Sequence, residues 1–332
     1  MKYIFIFSFL TISFIGKAQK PIQLHEKYIK KLEKNSIDIL DSTNLYVNDG
    51  QSRDLFYYAL SPKNKIQGTL VLFPPTWQTA ENVINHNIDL IEQAFENDLL
   101  LVVPSINYNL CLDETSLKFL NETFKNVLDK YEPPSDKIIF GGFSLGGMNA
   151  LRYTELAYEN ESLTTLKPIA VYGIDPPLDF VRLYHSFENT LTKNFSIPAM
   201  HEAKDYLQKL NNQFGGTPEE FSEIYIQHSM FSKSEKDGGN AKFLTSIPVR
   251  IYCDPDIDWQ LNERRMDYSD MNAVDQTAMI NFLLLAGNNE AEFINALGKG
   301  YRMDGRRHPH SWSLVDPEEC IAWMLKCMKI SE

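Results

Sequence analysis

From residue 68 onward, short and wholly apolar runs alternate with stretches of helical periodicity, and this alternation limits the possible folds more than any single motif does. "TLVLFPP", "DLLLVVPS", "KIIFGG" and "LKPIAVYGID" are too uniformly apolar for strands with one wet face. Between them, "AENVINHNIDLIEQAFEN", "ETSLKFLNETFKNVLDKY" and "LGGMNALRYTELAYE" return an apolar residue every three or four positions. Strands that are apolar on both faces must be covered on both faces, and the connecting helices do the covering. An α/β fold with a mostly parallel central sheet flanked by helices is therefore expected. Upstream, "PIQLHEKYIKKLEK" has helical spacing, while "SIDIL", "LYV" and "DLFYYALS" are extended runs joined by polar turns. Short strands of that kind suggest antiparallel pairing at the start of the sheet.

The rhythm breaks after "AVYGID". About seventy residues pass before the next strand pattern, "IPVRIYC", and they hold two helical patterns, "AMHEAKDYLQKLNNQF" and "PEEFSEIYIQHSMF". Long excursions inside a sheet domain usually cover something. Residues 178–245, approximately, are expected to form a helical cap inserted in a single domain spanning 19–332. A helix ("TAMINFLLLAG"), a strand ("AEFINALG") and a closing helix ("PEECIAWMLKCM") complete the chain.

The first residues, "MKYIFIFSFLTISFIGKAQK", pair an early lysine with an apolar stretch and then Gly16-Lys17-Ala18. Small residues at those two positions are what a signal peptidase reads, so residues 1–18 are expected to be a signal peptide and the protein to be exported, periplasmic or secreted. The apolar stretch is shorter than the roughly 20 residues a membrane span needs. Export permits disulfides, yet the four cysteines are widely spaced. Cys320 and Cys327 share one helical pattern. Their Cα atoms would lie about 10 Å apart there, beyond disulfide reach, and all four read as small buried hydrophobes. No cysteine spacing suits a metal. The formal charge of −12 argues against a nucleic-acid partner, which calls for a basic face. The densest basic patch is "RMDGRRH", residues 302–308.

The chemistry is carried by "KIIFGGFSLGGMNALRY". Ser144 stands where an apolar strand turns into a helical stripe, with Gly142 and Gly146 two residues away on either side. A GxSxG spacing alone is weak. Here the glycines fall where strand and helix must approach closely, and the turn lifts the hydroxyl above the sheet's carboxyl edge at a helix N-terminus.

With that strand–GxSxG–helix turn, the chain resembles the α/β-hydrolase superfamily, and "GGFSLGG" is similar to the form found in many esterases. The resemblance covers the order of elements over the whole mature chain. It implies a nucleophile, an acid and a histidine in that chain order. Only His308 and His310 fall late enough to be the base. His310 opens "HSWSLVDPEECIAWML", where the superfamily places its base, and His308 is the alternate. The acid is expected after "VRIYC", in "CDPDIDW", where Asp254, Asp256 and Asp258 compete. Asp256 is the choice, Asp258 the next, and Asp175, after the preceding strand, an outlying option. A serine needs such a base to become nucleophilic.

The oxyanion hole needs the backbone N–H of Leu145 and a second from the loop after "TLVLF". The usual His-Gly of that loop is replaced by Phe73-Pro74-Pro75-Thr76-Trp77. Proline has no N–H, so the donor is Thr76 or Trp77, with Thr76 preferred. Trp77 either lines the substrate site or simply packs. Tyr184, Phe187 and Tyr206 are open to the same two readings. The expected activity is serine hydrolysis of carboxylic esters, with a small-molecule or acylated substrate and no cofactor or metal. Amide or peptide cleavage by the same triad, and ligand binding on an inactive hydrolase scaffold, are the rival readings.

Overall fold

The computed structural model of the chain describes residues 21–39, 45–47 and 54–329. The expected signal peptide, 1–18, lies outside the described residues. A single helical turn, α1 (Glu26–Ile29), leads into β1 (Leu32–Ser36), β2 (Phe56–Leu60) and β3 (Gly68–Phe73). Then come α2 (Ala80–His86), α3 (Ile88–Glu96), β4 (Leu99–Pro104), α4 (Glu114–Tyr131), β5 (Ile138–Phe143), α5 (Leu145–Glu159) and β6 (Ala170–Ile174). Three helices, α6 (Phe180–Lys193), α7 (Ile197–Phe214) and α8 (Ser222–His228), precede β7 (Val249–Cys253). The chain closes with α9 (Ile257–Arg264), α10 (Ala273–Leu285), β8 (Ala291–Asn295) and α11 (Pro317–Met328).

The strands form one eight-stranded sheet in the order β1-β2-β4-β3-β5-β6-β7-β8. β1 and β2 pair antiparallel, as do β2 and β4, and every later pair is parallel. β3 to β7 are buried along their whole length, as their uninterrupted apolar sequences require. All parallel strands point their carboxyl ends at one edge, which is where open α/β sheets place their ligands.

Two local expectations need correction. The helical spacing over 21–34 yields only α1, and from Leu32 the chain pairs instead with β2, Leu32 opposite Leu60 and Ser36 opposite Phe56. A polar edge strand suits "LEKNS": Lys34 lays its ammonium 3.8 Å above the Phe56 ring, while Glu33 and Asn35 bond to Lys130 and Tyr131. Of "SIDIL", only Ser36 belongs to a strand and Leu40 lies outside the described residues. "LYV" is held by Asn107, whose side chain bonds both Val47 N–H (2.8 Å) and Val47 C=O (2.9 Å). The long helix expected over 80–97 is two helices, broken at Asn87 (φ −122°, ψ 29°), whose side-chain amide donates to the Val83 carbonyl at 2.8 Å. Asn favours such a break because its side chain competes for backbone partners. The four cysteines are free.

Between β6 and β7 the helices α7 and α8 pack on α6 around a small aromatic core, with Phe214 4.7 Å from Tyr225 and 5.2 Å from Phe180 between ring centroids. This unit is anchored to the sheet side by Arg182, whose Nε donates to Asp275 at 2.8 Å from the start of α10.

Candidate active site

Ser144 links β5 directly to α5 with φ 55° and ψ −122°, a conformation a non-glycine residue adopts only when the surroundings impose it. Its N–H donates to the Ile174 carbonyl at 2.9 Å, pinning the turn to the end of β6. The two flanking glycines show why the turn needs them. A Cβ on Gly142 would sit 2.3 Å from the Gly146 carbonyl carbon, and one on Gly146 would sit 2.0 Å from the Phe73 oxygen. Any larger residue would push the helix off the sheet. Leu145 is the first residue of α5, so its N–H has no partner in the helical ladder.

No aspartate of "CDPDIDW" meets His310. Asp175, the residue following β6, accepts from His310 Nδ1 at 2.6 Å. Its other oxygen accepts from Gln276 Nε2 at 2.9 Å and lies 3.5 Å from Cys253 Sγ. Asn272 holds its backbone carbonyl at 3.1 Å. The reason is sheet geometry. β6 is the immediate neighbour of β5, so a residue at its end is one strand spacing from Ser144. The end of β7 is two spacings away, about 10 Å. Asp175 also adopts φ 45°, which aspartate tolerates better than most residues.

The aspartates after β7 are occupied otherwise. Asp254 is buried and accepts from the N–H groups of Gly298 (3.1 Å) and Gly300 (2.9 Å). Asp256 caps α9 through Trp259 N–H (2.9 Å). Both pair with Arg307, at 2.7 and 2.6 Å. Asp258 is an exposed residue in the first turn of α9. Together Asp254, Asp256 and Arg307 brace the loop that delivers His310.

The His310 ring packs 4.4 Å from the Phe143 ring, next to the serine, and both Ser144 and His310 line one cavity. The Ser144 hydroxyl forms no hydrogen bond among the described residues; it opens on that cavity. His308, the alternate base, is wedged between two arginines: its Nε2 is 3.2 Å from Arg302 and 3.4 Å from Arg264. Burial first, and then the Arg302 charge, depress its imidazole to about 2, so it stays neutral.

The cavity has two compartments that share Ser144 and His310. An inner one of about 100 Å³ is walled by Leu183, Phe187, Met266 and Met271 together with charged groups, Glu202, Asp254, Arg264 and Asp270. An outer one of about 480 Å³ carries Thr76, Trp77 and Arg302. Helix α7 of the inserted segment supplies walls to both, including Tyr206, and α6 supplies Leu183, Ser186 and Phe187 to the inner one. Phe187 and Tyr206 are therefore cavity residues, whereas Tyr184 is buried against Tyr225. Trp77 is 46% exposed at the rim, with the Lys209 ammonium 3.4 Å from its ring centroid. In its loop, Trp77 N–H is taken by the Asn107 carbonyl and Gln78 N–H by the Pro75 carbonyl, both at 3.3 Å. Thr76 is the loop residue whose N–H has no backbone partner among the described residues.

Among the described residues no group of three or more His, Cys, Asp or Glu could hold a metal, and no helix is long and apolar enough to cross a membrane. Asp175 was only an outlying option for the acid, Arg302 only a member of a basic patch, and Gln276 and Arg264 were not picked out from the sequence. The available signal for Asp175 was "AVYGIDPP", an apolar strand ending in aspartate with prolines fixing the turn.

No protein-family model matches the chain, and no curated protein matches its sequence. Solved structures match its fold. The carboxylesterase Cest-2923 from Lactobacillus plantarum WCFS1 is similar at a TM-score of 0.53 and 12% identity, over 91% of this chain and 99% of that one. Carboxyl esterase 2 from the mycorrhizal fungus Tuber melanosporum is similar at 0.52 and 12% identity, over 90% and 86%. MPT51 (FbpC1) of Mycobacterium tuberculosis is similar at 0.51 and 12% identity, over 87% and 97%. The architecture is the α/β-hydrolase fold.

Proposed function

We propose that this chain is an exported serine hydrolase of carboxylic esters in which Ser144, His310 and Asp175 act together. The observation that carries the reading is the 2.6 Å hydrogen bond from His310 to Asp175 beside a serine held at a strained turn. The esterases among its structural neighbours support the same substrate class.

Asp175 Oδ2 accepts the Nδ1 proton of His310 and so holds the tautomer in which Nε2 is a base. His310 takes the Ser144 proton as Oγ attacks the ester carbonyl. The developing oxyanion is met by the Leu145 N–H, at the positive end of α5, and by the Thr76 N–H. As the tetrahedral intermediate collapses, the carbon–oxygen bond to the alcohol breaks and His310 returns its proton to the departing oxygen. Water then repeats the sequence and releases the acid, leaving Ser144 and His310 as they began. The inner compartment is small enough to limit the acyl group to a short one, and the outer one has room for the alcohol half.

The test is turnover of 4-nitrophenyl acetate by the mature protein. Wild type is expected to release nitrophenolate with saturable kinetics, and Ser144→Ala and His310→Ala to lose at least a thousandfold in kcat. Equal turnover by folded Ser144→Ala would reject the assignment. Aminoacyl 4-nitroanilides run alongside separate ester from amide cleavage. For export, the N-terminus of the protein recovered outside the cytoplasm is expected to be Gln19.

A further inference from the structure

We propose that Arg302 and Arg264 form an anion subsite that receives a carboxylate carried on the alcohol half of the ester, an inference that rests on the hydrolase reading above. The basic stretch "RMDGRRH" supplies three arginines, and two of them are already neutralised. Arg306 pairs with Asp304 at 2.7 Å, and Arg307 with Asp254 and Asp256. Arg264, from α9, pairs with Glu202 at 2.9 Å. Arg302 has no carboxylate partner among the described residues; its side chain contacts the neutral ring of His308. Burial, and then the neighbouring Arg264 charge, pull its guanidinium below the ordinary arginine value. It remains protonated at any working pH. A half-buried cation without a counter-ion is costly, and a substrate anion would relieve it.

His308 sets the geometry. Its Nδ1 lies 3.0 Å from the His310 carbonyl and 3.2 Å from the His310 N–H, and its Nε2 lies 3.2 Å from the Arg302 guanidinium and 3.4 Å from that of Arg264. The ring thus acts as a neutral spacer that holds two positive groups side by side. The acidic groups of the same cavity are engaged: Glu202 with Arg264, and Asp205 with Lys209 at 3.5 Å.

Placement selects the alcohol half. Arg264 and Arg302 stand in the shared wall between the outer compartment and a surface groove of about 660 Å³. The inner compartment is lined by Arg264 and His308 but not by Arg302. A leaving alcohol in the outer compartment lies against both His310, which returns its proton, and Arg302. Guanidinium groups bind carboxylate through paired hydrogen bonds. The net charge of −12 disfavours anions at long range, so a preference for an anionic ester must come from these local groups.

The experiment compares 4-acetoxybenzoate with its uncharged methyl ester, methyl 4-acetoxybenzoate, as kcat/KM ratios, so that the intrinsic reactivity of each ester cancels between variants. The ratio is expected to fall at least tenfold in Arg302→Met, to fall less in Arg302→Lys, and to stay within twofold in Lys118→Met, a distant change of the same charge. A ratio equal in wild type and Arg302→Met overturns the subsite while leaving the hydrolase reading intact. No turnover of either ester overturns the hydrolase reading. In that event, calorimetric binding of 4-acetoxybenzoate to Ser144→Ala still judges the subsite. Binding weakened tenfold by adding Arg302→Met supports it, and unchanged or undetectable binding refutes it. Circular dichroism of each variant confirms that it folds.

Discussion

The ends of β6 and β7 carry the same residue type in nearly the same place, and the fold uses them for different purposes. At the end of β6, Asp175 leaves one carboxylate oxygen for His310 and has the other steadied by Gln276. At the end of β7, Asp254 has both oxygens filled by two backbone N–H groups and Arg307. An aspartate whose lone pairs are saturated by fixed donors is a brace. One with an oxygen left for an imidazole can support proton transfer. Residue type and position relative to a strand end do not separate the two cases; the partners do.

The sharpest way to break this comparison is to remove the charge at each site in turn. Asp175→Asn is expected to lower kcat on a neutral ester by about 10³- to 10⁴-fold, because the amide favours the wrong His310 tautomer. Asp256→Asn is expected to change kcat by less than about tenfold. Steady-state kinetics decide; the reverse pattern would return the acid to the β7 loop.

A second test asks whether Asp254 is structural. Asp254→Asn leaves Arg307 with only Asp256 and weakens the grip on Gly298 and Gly300. Breaking one partner of a buried pair costs about 3 kcal/mol, read as a lower urea midpoint at unchanged slope. An unchanged midpoint would contradict the bracing role.

The smallest expected effects lie one layer out. Gln276→Leu removes a donor to Asp175 while keeping much of the volume, and kcat is expected to fall by about tenfold with KM little altered. The pH–rate profile should move too, since the carboxylate is less well held. A KM effect without a kcat effect would make Gln276 a packing residue. Asp256→Ala, which removes the α9 cap, is expected to lower stability by about 1 kcal/mol in the same urea assay.

Much of this arrangement could be read from residue order, and the failures share a cause. The parallel strands, the helices between them and the serine turn follow from local patterns: apolar runs, three-to-four spacing, and glycines where a Cβ would collide with the Phe73 oxygen or the Gly146 carbonyl. Asp175 was passed over because the choice between strand ends depends on β6 lying beside β5, a non-local fact. The helix expected over 21–34 failed for a similar reason, since pairing of Leu32–Ser36 with β2 overrides its helical spacing. Arg302 appeared in the sequence only as part of a basic patch. Which of its cations are neutralised depends on carboxylates that the fold brings near, Asp254 and Asp256 among them.

Activation of Ser144 by the His310–Asp175 pair is the central claim, and covalent labelling measures that without assuming a substrate. Folded wild-type protein treated with a fluorophosphonate is expected to gain a single adduct, mapped by peptide mass to Ser144. Labelling should slow by orders of magnitude in His310→Ala and Asp175→Asn and stay near wild type in Asp256→Asn. A folded wild type that remains unlabelled, or one labelled equally fast with Asp175 replaced, would contradict it.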